Sequence, residues 1–195
     1  MIIVRDEIAT FIPMKSPEFI ILGTMGSINA RTINGIKPKD AFFYNNNRNH
    51  FWKVLQLVFE PNNQAKTLTI EEKKSFLNKH RIAMANIVQE IKVLEERSID
   101  PSDDILFQAN RMELLKYKRV SSDFQMILKK TPIFFTCRRK KNIDLLLEGY
   151  FQLNKIESSI TKKIWYLPTP TRCNPLKRSI VWKQEIENHC SFLRG

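Results

Sequence analysis

Four short apolar segments, separated by helix-like patterns, constrain the fold of this chain most strongly. They occupy residues 19–22, 82–85, 133–135 and 164–167. Between them, apolar side chains recur at helical spacing, as Phe51, Leu55 and Val58 do before Pro61 ends the pattern. Strands that alternate with amphipathic helices form a mostly parallel sheet that is covered on both faces. The sequence therefore predicts an α/β fold in which the four segments form one parallel sheet.

The remaining segments carry weaker signals. Residues 1–17 are weakly patterned and contain two prolines, which predicts a short helix or arm. The second apolar segment lies in a longer run, residues 80–88, that we interpret as one strand, and the polar stretch 95–104 is expected to be a loop. Ser122, with Gln125 three residues later, indicates a capping box at the start of a helix. The expected helices lie over residues 48–59, 70–79 and 122–130, around 143–151, and from Trp182 to Leu193.

Length and composition favour a single compact domain. The chain has 195 residues, 43% of them apolar, which is enough for one domain over residues 1–195 with a full core. The first residues carry charges where a signal peptide needs an apolar stretch. No uninterrupted apolar run approaches the ~20 residues of a membrane span. We therefore expect a cytoplasmic protein that does not enter a membrane.

The cysteines and histidines are too scattered to suggest a metal site. Cys137, Cys173 and Cys190 form no Cys-x-x-Cys pair, and the three histidines lie in three separate regions. We expect neither a bound metal nor another cofactor.

Positive charge is concentrated in the last third of the chain. The net charge is +12, and residues 129–183 carry ten of the twelve excess charges, with thirteen Lys and Arg against three acidic residues. A concentrated basic surface attracts polyanions and makes their binding depend on salt. This distribution favours a nucleic-acid partner, although a lysine-rich surface that serves only solubility gives the same pattern.

Polar residues follow the predicted strands where each strand ends. These ends are residues 23–27, 86, 136–139 and 168–174. In parallel sheets ligands bind beyond the carboxyl ends of the strands. The turn that begins at Gly23 exposes backbone N–H groups to a ligand, and the amides and aromatics of residues 42–49 suit the reading and stacking of a planar base. The sequence therefore predicts a binding site at this edge.

Several of these blocks resemble motifs of the uracil-DNA glycosylase superfamily. Residues 21–27, Ile-Leu-Gly-Thr-Met-Gly-Ser, are similar to its first motif, and residues 43–52 to its F-Y-Y-x-x-P-x-N-x-F-W block. Residues 80–88 and 133–136 resemble its second and third strands. Residues 167–174, Leu-Pro-Thr-Pro-Thr-Arg-Cys-Asn, resemble its final L-P-S-x-S-x-x-N loop. The resemblance implies a three-layer α/β/α sandwich with a central four-stranded parallel sheet.

The resemblance also implies a role for each block. Asn49 would be catalytic together with Gly23 and Thr24, which would position the water and support the leaving base. The expected base-binding residues are Tyr44, Met25 and Thr136. The expected DNA-binding residues are Thr169, Thr171, Arg172, Arg138 and Arg139.

The chain is most similar to the mismatch-specific and hypoxanthine-DNA glycosylase-like branch, with departures. Met25 stands where the mismatch-specific enzymes have the asparagine that positions the attacking water. The hypoxanthine-type enzymes also lack that asparagine, and their proposed catalytic asparagine precedes the Phe-Trp pair, which is Asn49 here. Thr136 replaces the family's base-reading asparagine, and Asn86 replaces an aspartate that is common after the second strand. These substitutions bear mainly on base preference.

Each candidate residue also has a purely structural interpretation. Tyr44 is equally one of three consecutive core aromatics, and Asn49 suits the N-cap of the following helix. Thr136 suits a strand end, residues 169–172 suit a proline-rich surface loop, and residues 138–141 suit a solvated run of charge.

Together these features favour a monomeric DNA glycosylase that removes a deaminated base, uracil or hypoxanthine, in base excision repair. The reaction cleaves the N-glycosidic bond of a nucleotide that has been flipped out of the helix. The alternative is a catalytically silent nucleic-acid-binding module on the same fold, which Met25 and Thr136 favour. A hydrolase of free nucleotides is a more distant alternative.

Overall fold

The computed structural model describes residues 1–45, 49–100, 102–137 and 141–190. The strands, numbered in chain order, are β1 Ile2–Asp6, β2 Phe19–Gly23, β3 Arg31–Ile33, β4 Ile82–Asn86, β5 Val88–Val93, β6 Leu115–Tyr117, β7 Ile133–Phe135 and β8 Ile164–Tyr166. The α-helices are α1 Phe51–Phe59, α2 Ile70–Lys79, α3 Asp104–Arg111, α4 Ser122–Lys130, α5 Lys141–Leu153 and α6 Pro175–His189. None of these helices is long and apolar enough to cross a lipid bilayer.

The four predicted segments form one parallel sheet, so the predicted α/β fold is confirmed. The strands lie in the order β4-β2-β7-β8, and Ile21 of β2 pairs with Met84 on one side and Phe134 on the other. β2, β4 and β7 are buried along their whole length, as expected for strands covered on both faces. Because all four strands are parallel, their carboxyl ends meet at one edge of the sheet.

Helices cover both faces of this sheet because successive side chains of a strand point to opposite sides. Ile20 and Leu22 of β2 pack into a core with α3, α4 and α5. Phe19 and Ile21 pack into a second core with α1, α2 and α6. In that second core the ring of Phe19 meets Phe134 edge-on, with ring centroids 5.4 Å apart. The three layers of the α/β/α sandwich follow from this alternation.

A second, antiparallel sheet was not predicted from the sequence. Its strand order is β3-β1-β5-β6, and Val4 of β1 pairs with both Ile33 and Ile91. The predicted helix or arm over residues 1–17 is therefore wrong for residues 2–6, where Val4 and Asp6 are buried. Strand propensity depends on the neighbours that a strand packs against, and the weak apolar pattern of β1 does not reveal them.

Two segments near the middle of the chain also differ from prediction. The expected strand over residues 80–88 ends at Asn86, and Val88 begins β5 of the other sheet. The expected loop over residues 95–104 contains a 3-10 turn at Glu95–Arg97 and ends in the first residue of α3. The chain therefore passes from the parallel to the antiparallel sheet around Ile87, which is fully buried.

The predicted helices are present: those over residues 70–79 and 122–130 have the predicted ends, whereas the helix expected over 48–59 begins at Phe51. The cap of α4 is Ser121, whose hydroxyl accepts a hydrogen bond from the Phe124 N–H at 3.3 Å. Ser122, the predicted cap, is the first helical residue, and Gln125 donates to a backbone carbonyl before the helix rather than closing a capping box. Leu193, expected in the last helix, lies outside the described residues.

The close approach of α5 to β6 predicts that alanine is not tolerated at Gly149. A Cβ on Gly149 would lie 2.5 Å from the ring of Tyr117, whose hydroxyl is itself held by Asn110 at 2.7 Å. Helix propensity alone would favour alanine by about 1 kcal/mol, but overpacking costs about 1–3 kcal/mol. We expect Gly149→Ala to lower the free energy of unfolding, as measured by denaturant titration.

The exposed neighbour Glu148 offers a matched control in the same helical turn. Glu148→Ala is expected to change the free energy of unfolding by less than about 0.5 kcal/mol. A Gly149→Ala protein as stable as wild type would contradict the packing described for α5 and β6.

Candidate active site

A cleft of about 380 Å³ opens at the carboxyl edge of the parallel sheet, where the sequence predicts a binding site. Its walls come from the turn after β2 and from the ends of β4, β7 and β8. Eight of the predicted site residues line it: Gly23, Thr24, Met25, Tyr44, Asn49, Thr136, Thr169 and Thr171. Arg172 follows the lining residues and is exposed to solvent, and Arg138 and Arg139 lie outside the described part of the chain.

The last residue of β2 must be glycine because two cleft groups occupy the space that a side chain would need. A Cβ on Gly23 would lie 2.7 Å from the side-chain oxygen of Asn86 and 3.3 Å from the Tyr44 hydroxyl. Met25, two residues later, is 8% exposed and belongs to the apolar core on the α3–α5 side of the sheet. The predicted base-binding residue Met25 is therefore both a core residue and part of the cleft wall.

The carboxylate of Asp6 joins the two sheets directly beneath the cleft. Its Oδ2 accepts hydrogen bonds from the Gly26 N–H at 2.5 Å and the Asn86 side-chain amide at 2.7 Å. Its Oδ1 accepts from the Ile8 N–H at 2.8 Å and lies 3.2 Å from the Lys118 ammonium. The Asp6 side chain is fully buried and that of Lys118 is 8% exposed. Sealed from water, the carboxylate acts as a structural tie.

This tie fixes the orientation of the Asn86 amide. An ionised carboxylate only accepts hydrogen bonds, so the amide nitrogen must face Asp6. The amide oxygen then lies against Gly23 beside the cleft. Asn86 therefore presents a fixed acceptor to the cleft, at a position that the sequence marked as a polar strand end and as a departure from the family pattern.

Tyr44 is held on one face and at its hydroxyl. Its ring stacks on Phe51 with centroids 4.0 Å apart and planes 10° from parallel, and its hydroxyl is hydrogen bonded to the Thr136 hydroxyl. Burial raises the pKa of Tyr44 well above its ordinary value, so the phenol stays neutral. The backbone φ of Tyr44 is 49°, a conformation that non-glycine residues seldom adopt outside constrained sites.

The Asn49 side chain links the start of α1 to the final loop of the cleft. Its oxygen accepts from the Phe51 N–H at 2.9 Å, and its nitrogen donates to the Thr171 hydroxyl at 3.3 Å. The backbone bond from the His50 N–H to the Pro170 carbonyl, at 3.3 Å, reinforces the link. The N-cap position of α1 is occupied by His50 rather than Asn49. Asn49 nevertheless accepts from the Phe51 N–H, which has no partner within the helix, as a capping residue does.

Two charged residues of the cleft wall were not predicted from the sequence. Asp103 lies just before α3 and accepts a hydrogen bond from the Thr24 hydroxyl at 2.8 Å. Arg31 lies at the start of β3, and its Nε donates to the Gly26 carbonyl at 2.6 Å. Burial lowers the pKa of Arg31, while Asp6, Asp103 and Asp100 oppose that shift. Neither residue belongs to a motif or strand end, so no local sequence signal identifies it.

The described residues contain no group of three or more His, Cys, Asp or Glu that could hold a metal ion. Among the described residues, the cleft is lined by one half-buried carboxylate, one buried guanidinium, the Cys137 thiol, side-chain amides and hydroxyls. Such a set positions a ligand through hydrogen bonds and stabilises charge that develops on it.

Comparison with protein-family models gives no match, and neither does comparison with curated proteins. Among solved structures, the chain is similar to the solution NMR structure of a proposed uracil DNA glycosylase from Methanosarcina acetivorans. The TM-score is 0.50 at 17% sequence identity, and the match covers 93% of this chain and 98% of the other. At this identity the likeness shows a shared fold, so the glycosylase-like fold class expected from the resemblance is confirmed.

We predict that Asp6→Ala strongly destabilises the protein, because it leaves Lys118 buried without its carboxylate. Removing one partner of a buried ion pair costs about 3–5 kcal/mol. The measurement is the free energy of unfolding from denaturant titration. Asp6→Ala combined with Lys118→Met should recover part of the loss, since the second change removes the unpaired charge.

Glu7→Ala is the control, because it removes an exposed carboxylate from the next residue. That carboxylate accepts one hydrogen bond, from Thr32, so we expect a loss of no more than about 1 kcal/mol. Equal stability of Asp6→Ala and Glu7→Ala would show that Asp6 is not a structural tie.

Proposed function

We propose that the chain is a monomeric DNA glycosylase that removes a deaminated base, uracil or hypoxanthine, in cytoplasmic base excision repair. The observation that carries this proposal is the polar wall of the cleft, where the Asn86 oxygen and the Tyr44 hydroxyl both lie against Gly23, and the Tyr44 hydroxyl is hydrogen bonded to that of Thr136. The glycosylase-like fold and the order of the motifs support it. Among the glycosylases, the motifs favour the mismatch-specific and hypoxanthine-type branch.

The cleft wall complements the hydrogen-bonding edge of a deaminated base. Uracil and hypoxanthine present a ring N–H next to a carbonyl oxygen, whereas cytosine and adenine present a ring nitrogen acceptor next to an amino group. The Asn86 oxygen accepts from a ring N–H. The hydrogen bond between Tyr44 and Thr136 uses only one of their two hydroxyl protons, so the other hydroxyl proton is available to a carbonyl oxygen. We assign Tyr44 as the donor to Thr136, and Thr136 as the donor to the base.

The remaining cleft residues would hold the flipped nucleotide. Phe51 already covers one face of the Tyr44 ring, so the opposite face is assigned to the base, since stacking a base on an aromatic ring is worth about 1–3 kcal/mol. The Gly23 turn would bring backbone N–H groups to the leaving base, where negative charge develops. Asn49 would contact the base or the water through the cleft-facing side of its amide.

DNA is the partner that the surface favours. Thr169, Thr171 and Arg172 are exposed beside the cleft mouth, where hydroxyls and a guanidinium suit phosphate oxygens. Residues 129–183 supply most of the excess positive charge. Arg138 and Arg139 are assigned to the same backbone contacts on sequence grounds.

A panel of oligonucleotides tests the proposal. Duplexes and single strands containing uracil or hypoxanthine, and duplexes containing a T/G mismatch, are incubated with the wild-type protein, and abasic sites are revealed by alkaline cleavage. We expect base release from uracil or hypoxanthine and none from matched cytosine or adenine. If the protein binds these oligonucleotides but cleaves none of them, the nucleic-acid-binding module replaces the enzyme as the proposed function. If it neither binds nor cleaves them, both proposals are refuted.

Asn49→Ala separates catalysis from capping. We expect single-turnover cleavage to fall by roughly 10²–10³-fold with DNA affinity nearly unchanged, as for a polar group that acts mainly in the transition state. The loss of the bond to the Phe51 N–H should also cost about 1 kcal/mol of stability.

Asn174 provides a matched control. It caps α6 by accepting from the Lys177 N–H at 3.1 Å, and it is not among the residues that line the cleft. Asn174→Ala should lose a similar stability of about 1 kcal/mol and retain full cleavage. Equal cleavage by the two variants would assign Asn49 to capping alone.

A further inference from the structure

We infer that Asp103 is the catalytic carboxylate of the cleft, which accepts the proton of the attacking water. The inference rests on the proposed glycosylase function and assigns a role that none of the glycosylase-like motifs in this sequence contains. The first motif offers Thr24 and Met25 in place of an acid or amide. The structure supplies a carboxylate to the same wall from the segment before α3.

The position of Asp103 is set by Thr24, the second residue of the glycine turn. The Thr24 hydroxyl donates to its Oδ1 at 2.8 Å, and both residues line the cleft. This hydrogen bond holds one carboxylate oxygen of Asp103 at the cleft wall. Its charge also acts on Tyr44, whose pKa is raised chiefly by burial and further by Asp103. Asp103 therefore lies within electrostatic range of Tyr44, whose ring is proposed to stack on the flipped base.

Asp103 is a better candidate than the other carboxylate at this edge. Asp6 is fully buried and accepts three N–H hydrogen bonds besides its contact with Lys118. Asp103 is half-buried, so solvent reaches it through the cleft. A catalytic base must reach the water it deprotonates, and of these two carboxylates only Asp103 borders the open volume.

Arg31 favours the ionised form of Asp103. Burial lowers the pKa of Arg31, and the attraction of Asp6 and Asp103 raises it. The interaction is mutual, so the guanidinium stabilises the negative charge of Asp103 in turn. A catalytic base must be unprotonated before the reaction, and the positive charge of Arg31 favours that state of Asp103.

The step conserves atoms and charge. The C1′–N bond of the flipped nucleotide breaks, and its electron pair leaves with the base as an anion, while C1′ gains positive character that the Asp103 carboxylate stabilises. The water oxygen then bonds to C1′, and one water proton passes to Asp103. That proton returns to solvent or to the departed base, and the products are an abasic sugar with a 1′-hydroxyl and the free neutral base.

The test compares Asp103→Asn with Asp104→Asn on the substrate that wild type cleaves. Asp104 is the adjacent residue, is exposed, and loses the same charge in its variant. Single-turnover cleavage should fall by about 10²–10⁴-fold in Asp103→Asn, the usual contribution of general acid–base catalysis, and stay within about twofold of wild type in Asp104→Asn. Melting temperature and DNA affinity are measured for both.

Chemical rescue of Asp103→Ala separates a catalytic role of Asp103 from a purely structural one. Formate supplies a small carboxylate to the vacated space, so cleavage by Asp103→Ala should rise with formate concentration, whereas chloride at equal ionic strength should have no effect. A rate for Asp103→Asn equal to wild type, or a loss that formate does not restore in folded Asp103→Ala, would overturn the inference.

The remaining outcomes are also decisive. Should both Asp103→Asn and Asp103→Ala fail to fold, Asp103→Glu carries the test, because it keeps the charge and displaces it by one methylene. A loss of at least tenfold in folded Asp103→Glu supports the inference, and a wild-type rate overturns it. A wild-type protein that cleaves nothing on the oligonucleotide panel refutes the proposed function itself, which keeps the two failures distinct.

Discussion

The arrangement of the cleft depends on the buried carboxylate of Asp6. A buried charge is tolerated only when it is paired and hydrogen bonded, and Asp6 meets this condition with groups from both sheets. It belongs to β1 of the antiparallel sheet, whereas Gly26 lies in the turn after β2 and Asn86 is the last residue of β4 in the parallel sheet. The glycine turn and the Asn86 amide are therefore held in place only once both sheets have formed.

Close packing around this tie determines what the cleft presents to a ligand. Gly23 lets the Asn86 oxygen and the Tyr44 hydroxyl approach the end of β2 more closely than any side chain would allow. Phe51 holds the Tyr44 ring, and Trp182 in turn packs edge-on against Phe51 at 5.6 Å. The polar groups of the wall thus rest on buried aromatic residues, which is how a rigid scaffold keeps hydrogen-bonding groups in fixed positions.

The parallel sheet and the outline of the site were predictable because their signals are local. Four apolar segments bounded by glycine, proline or polar residues mark the buried strands, and parallel strands place their ends together whatever the details of packing. That rule brought Gly23, Thr136 and Thr171 to one cleft. The antiparallel sheet was missed because β1 is buried only at Val4 and Asp6, so it lacks the continuous apolar run that marks a strand covered on both faces.

The sequence by itself determined the α/β class, the edge of the sheet at which the cleft opens, and most of the residues that line the cleft. Only the tertiary structure decided that Asp6 orients Asn86, that Asn49 bridges to Thr171, and that Asp103 and Arg31 enter the wall. The physical reason is separation along the chain, since Asn86 lies 80 positions after Asp6 and Asp103 lies 79 positions after Thr24. Hydrogen bonds over such distances leave no periodicity or spacing in the sequence, and they exist only once the two sheets pack together.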